Sequence, residues 1–324
     1  MRSLCALALG VAALGFSSGP EAERPTGRLV FLSYETTGTS VLWTIRADGT
    51  GARKVTRSRF VGGEVEPEWS PDGRKIAYSR SERCLTDPYD VCGRIWTVDA
   101  DGRNQRRLIP RRLPGLLANR KVSFQAPTWS PDGRRIAYEQ SIWESQRSNL
   151  YVMNFDGSGR RRLTRLRNAR SPAWSPNGAA IAFTHRPEKG SNREIFVLTL
   201  RTGKLRRLTR TKADESLPQW SPDGRRIVYQ RWGTTLEEDE DDVFVMNADG
   251  SGQRNLTHRP GLDGGPAWSP GGGLIAFVRH SEDPLIYVTA ADGSGRAQRV
   301  MTSPKLATYE LDWGPEPGRT AQQR

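Results

Sequence analysis

The chain is poor in the residues that build catalytic and metal centres. It has three histidines and three cysteines among 324 residues. The histidines, His185, His258 and His280, lie in different parts of the sequence, whereas a metal site needs several ligands brought together. No combination of nucleophile, base and orienting group is evident either. We therefore predict no catalytic residue and no metal ligand, and we expect that the protein is not an enzyme.

Long apolar runs are also scarce. The longest runs from Leu4 to Phe16, after Arg2 and before the small residues Ser17-Ser-Gly19. It is shorter than the roughly 20 residues that cross a bilayer, and its layout is typical of an export signal. We predict a signal peptide at residues 1–19, with an uncleaved anchor as the alternative, and no transmembrane segment in the mature chain. Cys5 lies at the start of the apolar run and not after it, so it does not fit the acylated cysteine of a lipoprotein.

Removal of this signal would leave two cysteines, Cys84 and Cys92, eight positions apart. A close pair in an exported protein is typical of a local disulfide. The alternative is a metal site, but two thiols without a nearby histidine supply half of a zinc site. We predict the disulfide and a periplasmic, extracellular or cell-wall location.

A tryptophan repeat dominates what the sequence does contain. Five tryptophans open nearly the same phrase, at intervals of 60, 45, 46 and 48 residues, and a sixth follows after 45 more. The phrases are Trp69-Ser-Pro-Asp-Gly73, Trp129-Ser-Pro-Asp-Gly133, Trp174-Ser-Pro-Asn-Gly178, Trp220-Ser-Pro-Asp-Gly224, Trp268-Ser-Pro-Gly-Gly272 and Trp313-Gly-Pro315. A period near 45 residues indicates a repeat architecture.

One period predicts four short strands. In residues 218–257, an extended run ends at Trp220 and Pro-Asp-Gly makes a turn. Arg226-Ile-Val-Tyr-Gln230 alternates polar and apolar residues, Asp242-Val-Phe-Val-Met-Asn247 is a further strand, and Asn255-Leu-Thr257 is a short outer one. No helical apolar stripe follows residue 20, so we predict an all-β mature chain.

The two ends of the repeat predict how the ring closes. Residues 29–56 supply the second, third and outer strands of a blade, and Leu311-Asp-Trp313 supplies an inner strand with nothing after it. Together they make one blade. We predict a six-bladed β-propeller over residues 28–315, with four antiparallel strands per blade and the first blade closed by the C-terminal strand. Residues 20–27 would be a linker and residues 316–324 a disordered tail.

The phrase Pro-x-Trp-Ser-Pro-Asp-Gly-x-x-Ile-Ala-Tyr, followed by Asp-Gly-Ser-Gly and Arg-Leu-Thr, resembles the WD40-like repeat of TolB-type six-bladed propellers. The resemblance covers residues ~27 to ~315 and recurs five times. It implies a propeller that binds a protein or peptide partner, and a role in cell-envelope maintenance or transport.

The net charge of +13 does not by itself indicate a nucleic-acid partner. Arginines recur at equivalent positions in each repeat, for example Arg107, Arg162 and Arg207, so a ring spreads them around its circumference instead of gathering them in one patch. We expect no nucleic-acid binding, and we expect a monomer.

Carboxylates five residues before the repeat tryptophan are the candidate binding residues. Three of six repeats have one there, and further acidic residues lie close by, which gives the set Glu64, Glu66, Asp214, Glu215, Asp263 and Glu310. The loops concerned would border one mouth of the channel, where an acidic ring favours a cation or a basic peptide. The alternative is that they are ordinary solvated loop residues. The run from Glu237 to Asp242 would border the same mouth.

Other functions stay open at this point. The Asp-Gly turns, such as Asp101-Gly102, are similar to calcium loops, but they lack the bidentate glutamate of such loops and suit hairpin turns. We predict no cofactor, with calcium as the alternative. A small-ligand or glycan-binding propeller, or a hydrolase or lyase with an unrecognised site, are the alternative functions. The Leu-rich basic loop from Pro110 to Ala126 is a further candidate for recognition.

Overall fold

The computed structural model describes residues 25–35, 38–57, 63–84, 91–110, 121–187, 191–233, 240–258, 261–280, 285–300 and 306–317. The predicted signal peptide, most of the predicted linker, most of the C-terminal tail and residues 111–120 of the basic loop lie outside the described residues. In the described part of the chain, no helix is long and apolar enough to cross a membrane.

The described residues form 24 β-strands, arranged as six antiparallel blades of four. Blade 1 contains β24 (Leu306–Gly314), β1 (Arg28–Tyr34), β2 (Ser40–Arg46) and β3 (Arg53–Lys54). Blade 2 contains β4 (Glu64–Trp69), β5 (Lys75–Arg83), β6 (Val91–Asp99) and β7 (Arg106–Arg107). Blade 3 contains β8 (Val122–Trp129), β9 (Arg135–Ile142), β10 (Arg147–Asn154) and β11 (Arg161–Arg162).

The remaining blades follow the same order. Blade 4 contains β12 (Ala169–Trp174), β13 (Ala180–His185), β14 (Glu194–Thr199) and β15 (Leu205–Arg207). Blade 5 contains β16 (Glu215–Trp220), β17 (Arg226–Arg231), β18 (Glu240–Asn247) and β19 (Arg254–Asn255). Blade 6 contains β20 (Gly261–Trp268), β21 (Leu274–His280), β22 (Leu285–Ala290) and β23 (Gln298–Arg299). The predicted six-bladed propeller is confirmed.

The C-terminal strand closes the first blade. β24 pairs with β1 in antiparallel register, with Trp313 opposite Leu29 and Leu311 opposite Phe31. These four side chains join Val278 of blade 6 in one buried cluster. Each hydrophobic cluster draws on two neighbouring blades, so the core lies between blades and no blade buries a core alone.

Two local features differ from the sequence-based expectation. Strand β18 pairs with β20 in parallel at Glu240 and Asp241, which links blades 5 and 6 into one sheet. The predicted loop from Pro110 to Ala126 ends earlier, because Val122 already pairs with Ile142 on the long strand β9.

Cys84 and Cys92 form the predicted disulfide, with 5.2 Å between their Cα atoms. Cys84 follows the end of β5 and Cys92 lies near the start of β6, so the bond ties the two ends of the loop between these strands. Both cysteines are buried.

The Ser-Pro-Asp-Gly phrase is a turn held by its own side chains. Ser70 donates from Oγ to Asp72 Oδ1 at 2.6 Å and accepts the Lys75 N–H at 2.9 Å. Asp72 also accepts the Arg74 N–H at 3.1 Å. The same bonds recur in blades 3, 4 and 5, with asparagine replacing aspartate in blade 4. The polar residues of the repeat phrase are therefore used to fix a turn.

Glycine in the Asp-Gly turn serves the contact between blades. Gly102 has a φ of +86°, and a Cβ there would lie 2.5 Å from the carbonyl oxygen of Val55 in the preceding blade. Gly49 and Gly250 approach a preceding outer strand in the same way. Gly203 in blade 4 has a φ of +69° but nothing within 4 Å of the added Cβ.

These two glycines give a test of the contact. We expect Gly102→Ala to lower the free energy of unfolding by ~3 kcal/mol, because it combines left-handed strain with a backbone clash. Gly203→Ala should lower the free energy of unfolding by only ~1 kcal/mol, the contribution of left-handed backbone strain alone. Urea unfolding of both variants measures the difference, and equal losses would contradict a packing role for Gly102.

Candidate functional site: the central channel

The inner strands bend where they line the channel. Five of them carry a residue with a positive φ three positions before the tryptophan, followed by proline: Glu66 (54°), Ala126 (48°), Ser171 (47°), Leu217 (50°) and Gly265 (59°). The pairing with the second strand shifts register at the same place in each blade. These β-bulges release backbone N–H groups from the ladder and place these residues around a cavity of about 90 Å³.

Two glutamates form an upper layer in this channel. Glu310 on β24 accepts the backbone N–H of Glu66 at 2.5 Å. Glu66 in turn accepts the backbone N–H of Ala126 at 2.5 Å and the hydroxyl of Ser79 at 2.8 Å. Each carboxylate therefore reaches forward to a bulge of the following blade.

A second pair lies one layer further along the channel. Asp312 on β24 accepts the Trp69 N–H at 2.8 Å, and Gln219 donates to its other oxygen at 3.4 Å from across the ring. Glu68 accepts the Trp129 N–H and the Thr128 hydroxyl, both at 2.9 Å. The channel thus gathers four carboxylates from only two strands, β24 and β4.

These carboxylates are held in an environment that favours protonation. Burial, with the carboxylate of Glu66 beside it, raises the pKa of Glu310 to about 8. Burial also raises the pKa of Glu66, and burial together with Asp312 raises that of Glu68 well above its usual value. The pKa of Asp312 is raised by burial as well. The groups that donate hydrogen bonds to Glu66, Glu68 and Asp312 are all neutral. None of these bonds therefore brings a positive charge to compensate for the hydration that the carboxylates lose on burial.

Glu139 in blade 3 belongs to the same surroundings. Burial raises its pKa to about 8, while Arg170, at 3.7 Å from its carboxylate, acts in the opposite direction. It also accepts the bulge N–H of Ser171. Arg170 lowers the pKa of Glu66 too, so it is the cation that most directly faces this end of the channel.

The aligned carboxylates Glu64, Glu215 and Asp263 have a different position. All three are buried, and each binds an arginine 16 residues later on the neighbouring strand. The pairs are Glu64–Arg80 (2.6 Å), Glu215–Arg231 (3.0 Å) and Asp263–Arg279 (2.6 Å). Their carboxylates are directed into the blade and not to an open mouth, so a binding role for them stays a prediction that the geometry does not favour.

Asp214 and the acidic run also take part in local contacts. Asp214 is half-buried, binds Arg186 at 2.9 Å and accepts the Arg193 N–H at 2.7 Å. Residues 237–239 of the acidic run lie outside the described residues. Asp241 is buried and accepts from Gln230 at 3.1 Å.

Of the predicted set, the structure brings Glu66 and Glu310 together in the channel. Glu68, Asp312 and Glu139 were not predicted as site residues. Glu68 and Asp312 each directly precede the tryptophan of their repeat. A comparison of the repeats at this position, and not five residues before the tryptophan, would have indicated both.

Aromatic side chains line the next part of the channel. The six repeat tryptophans border a cavity of about 230 Å³, together with prolines of the Ser-Pro turns and the second carboxylate pair, Glu68 and Asp312. Among the described residues, no three His, Cys, Asp or Glu side chains are grouped so that they could hold a metal ion.

Together, the ring and the channel define a six-bladed β-propeller whose channel contains buried carboxylates and an adjoining tryptophan-lined cavity. A family model described as the TolB beta propeller domain matches residues 89–235. Residues 89–235 therefore match the TolB-type β-propeller that the repeat phrase predicted.

Individual comparisons agree with this assignment. The chain is 30% identical over 125 residues to an uncharacterised protein of Agrobacterium fabrum, covering 38% of this chain and 40% of that one. It is 39% identical over 69 residues to the Tol-Pal system protein TolB of Thioalkalivibrio sulfidiphilus, covering 21% and 13%. The crystal structure of TolB from Acinetobacter baumannii superposes with a TM-score of 0.69 at 21% identity, covering 90% of this chain and 67% of that one. The matches span 40% or less of the length of these curated relatives.

The raised pKa of Glu310 predicts a pH-dependent stability. The folded protein keeps a proton that the unfolded chain releases above about pH 4.5, so this contribution is present at low pH and is lost as pH rises toward 8. Glu310→Gln imitates the protonated form beside Glu66, Glu68 and Asp312. We expect it to stabilise the protein by a few kcal/mol (order of magnitude) at pH 8.5 and by much less at pH 5. Urea unfolding at both pH values measures this, with Glu316→Gln as the control. An identical effect at the two pH values would contradict it.

The buried ion pair of blade 2 predicts a large loss when one partner is removed. Glu64→Ala removes the carboxylate that binds the buried guanidinium of Arg80, which should cost about 3–5 kcal/mol of unfolding free energy. The double variant Glu64→Phe/Arg80→Gln copies the residues that blade 3 has at these positions, Phe124 and Gln140. It should lose less than the single variant, because no buried charge remains. A double variant that is less stable than Glu64→Ala would contradict this explanation.

Proposed function

We propose that the protein is an exported, non-enzymatic propeller that binds a protein or peptide partner by taking a cationic side chain into the acidic end of its channel. The observation that supports this most directly is the group of four carboxylates on β24 and β4 with raised pKa values. A lysine or arginine head group would supply the positive charge that the neutral donors to Glu66, Glu68 and Asp312 do not.

The shape of the channel restricts how a partner enters. The space beside Glu66 and Glu310 is about 90 Å³, and it is ringed by proline-fixed bulges of the inner strands. Such a space suits a single side chain or an extended chain end better than a folded surface. The partner would rest on the loops around the mouth and insert one basic residue.

Export and a role in the cell envelope belong to the same proposal. The predicted signal peptide and the Cys84–Cys92 disulfide favour an oxidising location outside the cytoplasm. Relatives with this repeat are named Tol-Pal system proteins, which supports a role in envelope maintenance or transport through a protein partner.

A small-ligand or glycan-binding function is the second candidate. It is favoured by the tryptophan-lined cavity of about 230 Å³, since aromatic side chains are common in ligand pockets. Glu66 and Glu310 line the smaller space and not this cavity, so variants at these two glutamates separate the candidates.

The proposal predicts the effect of neutralising the upper layer. With the purified protein as bait for envelope extracts at pH 8, Glu66→Gln/Glu310→Gln should recover at least about tenfold less of the bound partner, as expected for a lost charge-assisted contact. The exposed carboxylate Asp101, on the Asp-Gly turn of blade 2, gives the matched control Asp101→Asn, which should recover the partner unchanged.

The pH dependence of the same interaction supplies a second readout. A cation binds the ionised carboxylates and displaces their protons, so affinity should rise between pH 6 and 8 for the wild type. The rise should be smaller for the double variant, which keeps only Glu68 and Asp312 of the four carboxylates. Equal recovery by wild type and double variant, with unchanged circular dichroism, would overturn the proposal. Loss of binding on changing Trp220 or Trp268, but not the glutamates, would favour the small-ligand function.

A further inference from the structure

Blade 3 lacks an ion pair that blades 1, 2 and 4 build above their outer strand. In blades 1, 2 and 4 a carboxylate binds the cation of the outer strand: Glu35 binds Lys54, Glu82 binds Arg107 and Glu194 binds Arg207. These cations occupy one register position, opposite the aromatic residue of the third strand. In blade 3 that position is Arg162, opposite Tyr151.

Arg162 has neither of the carboxylates that its counterparts use. The position of Glu35 and Glu82, four residues after the aromatic residue of the second strand, is Ile142. The position of Glu194, two residues before the aromatic residue of the third strand, is Asn149, whose Oδ1 accepts the Leu166 N–H at 2.8 Å. The cation is thus kept while both possible acidic partners are replaced by neutral residues.

The inner arginine of the network is replaced as well. In blades 2, 5 and 6 a guanidinium covers the aromatic ring of the third strand: Arg80 lies 4.3 Å from the centroid of Trp96, Arg231 4.0 Å from Phe244 and Arg279 4.8 Å from Tyr287. Blade 3 has Gln140 at that position, opposite Phe124 where two of the other blades have glutamate. The shorter side chain leaves the space beside Tyr151 unfilled.

The absence of this arginine also affects a buried tyrosine hydroxyl. Arg80 donates to the hydroxyl of Tyr78 at 2.8 Å, and Arg231 to that of Tyr229 at 3.0 Å. The equivalent Tyr138 is fully buried and stacks on Tyr151, with 5.8 Å between ring centroids. Its hydroxyl has no hydrogen-bond partner among the described residues. A buried hydroxyl without a partner is costly, and in blades 2 and 5 the arginine that blade 3 lacks is its donor.

A cavity of about 380 Å³ occupies this place. Its lining includes Gln140, Tyr151 and four arginines: Arg147, Arg162, Arg165 and Arg167. The described lining holds no carboxylate, and none of the four arginines forms an ion pair with a described residue. The carboxylate of Glu144, on the neighbouring 3-10 turn, accepts the Lys121 N–H at 2.9 Å. Four guanidinium groups around an open aromatic face form a site with a strong preference for anions.

We infer that blade 3 binds a small acidic sugar, whose carboxylate or phosphate occupies the place that an internal carboxylate fills in blades 1, 2 and 4. The anion pairs with Arg162, and the other three arginines add to the local positive potential. The sugar ring packs on the face of Tyr151 that an arginine covers elsewhere in the ring. This site lies on the outer part of one blade and is separate from the channel.

The test uses glucuronate and glucose 6-phosphate as probes, with inorganic phosphate to measure the charge contribution alone. Isothermal titration at 50 mM salt should show one site, with at least one sugar probe bound at least about fivefold more tightly than inorganic phosphate. The tighter of the two sugars distinguishes a carboxylate from a phosphate ligand. Wild-type protein that binds none of the three probes would overturn the inference.

Three variants locate the site. Arg162→Gln should weaken binding at least tenfold. Arg161→Gln removes the same charge from the neighbouring position of the same strand, which faces away from Tyr151, and should leave affinity within about twofold. Asn149→Asp restores an internal acid of nearly unchanged shape, and it should abolish binding by occupying Arg162 itself. If Arg161→Gln and Arg162→Gln weakened binding equally, the anion would be attracted by general surface charge and not by a defined site, and the inference would be overturned.

Discussion

Pairing of the two chain ends is the constraint on which the rest of the structure depends. Strand β24 supplies the inner strand of blade 1, and its Trp313 and Leu311 complete the cluster between blades 6 and 1. Since every core lies between two blades, an open ring would expose two blade faces and two sheet edges at once. The disulfide and the hydrogen-bonded turns each act within a single blade. They stabilise individual blades, whereas the terminal strand closes the ring.

Closure also brings the acidic side chains together. Glu310 and Asp312 lie on β24, and both bind backbone N–H groups of β4, so they connect the last strand to blade 2. Glu66 and Glu68 repeat these bonds toward blade 3. The carboxylates satisfy bulge N–H groups that the strand ladder leaves without partners, and they lose hydration in doing so. The same bonds that hold the ring therefore place several carboxylates in a poorly hydrated channel, where a positively charged group would be bound favourably.

The sequence predicted the ring well because its signals are local and repeated. Trp-Ser-Pro-Asp-Gly encodes a turn through bonds between Ser70, Asp72 and the backbone, so each copy can be interpreted without knowledge of the others. The closure by Trp313 followed from counting strands. The site was predicted less well, because burial depends on neighbours that lie far away in the sequence. Glu64 and Glu66 are two residues apart, yet one faces Arg80 inside the blade and the other faces the channel. The bulge at Glu66 determines which side chain turns inward, and a period of two residues cannot show a bulge.

The repeat itself supplies a way to separate structure from function in this protein. A residue that recurs in all blades, such as the tryptophan of the repeat phrase, is explained by the geometry common to all of them. A residue that breaks the pattern needs a cause of its own. Two groups break it most strongly: the four carboxylates confined to β24 and β4, and the blade 3 positions where Phe124, Gln140, Ile142 and Asn149 replace charged residues. The first group crowds buried carboxylates in the channel, and the second leaves the blade 3 arginines without the carboxylate that binds their counterparts in blades 1, 2 and 4. Because crowded charge of one sign lowers stability, the external partners of opposite charge proposed above would account for both departures.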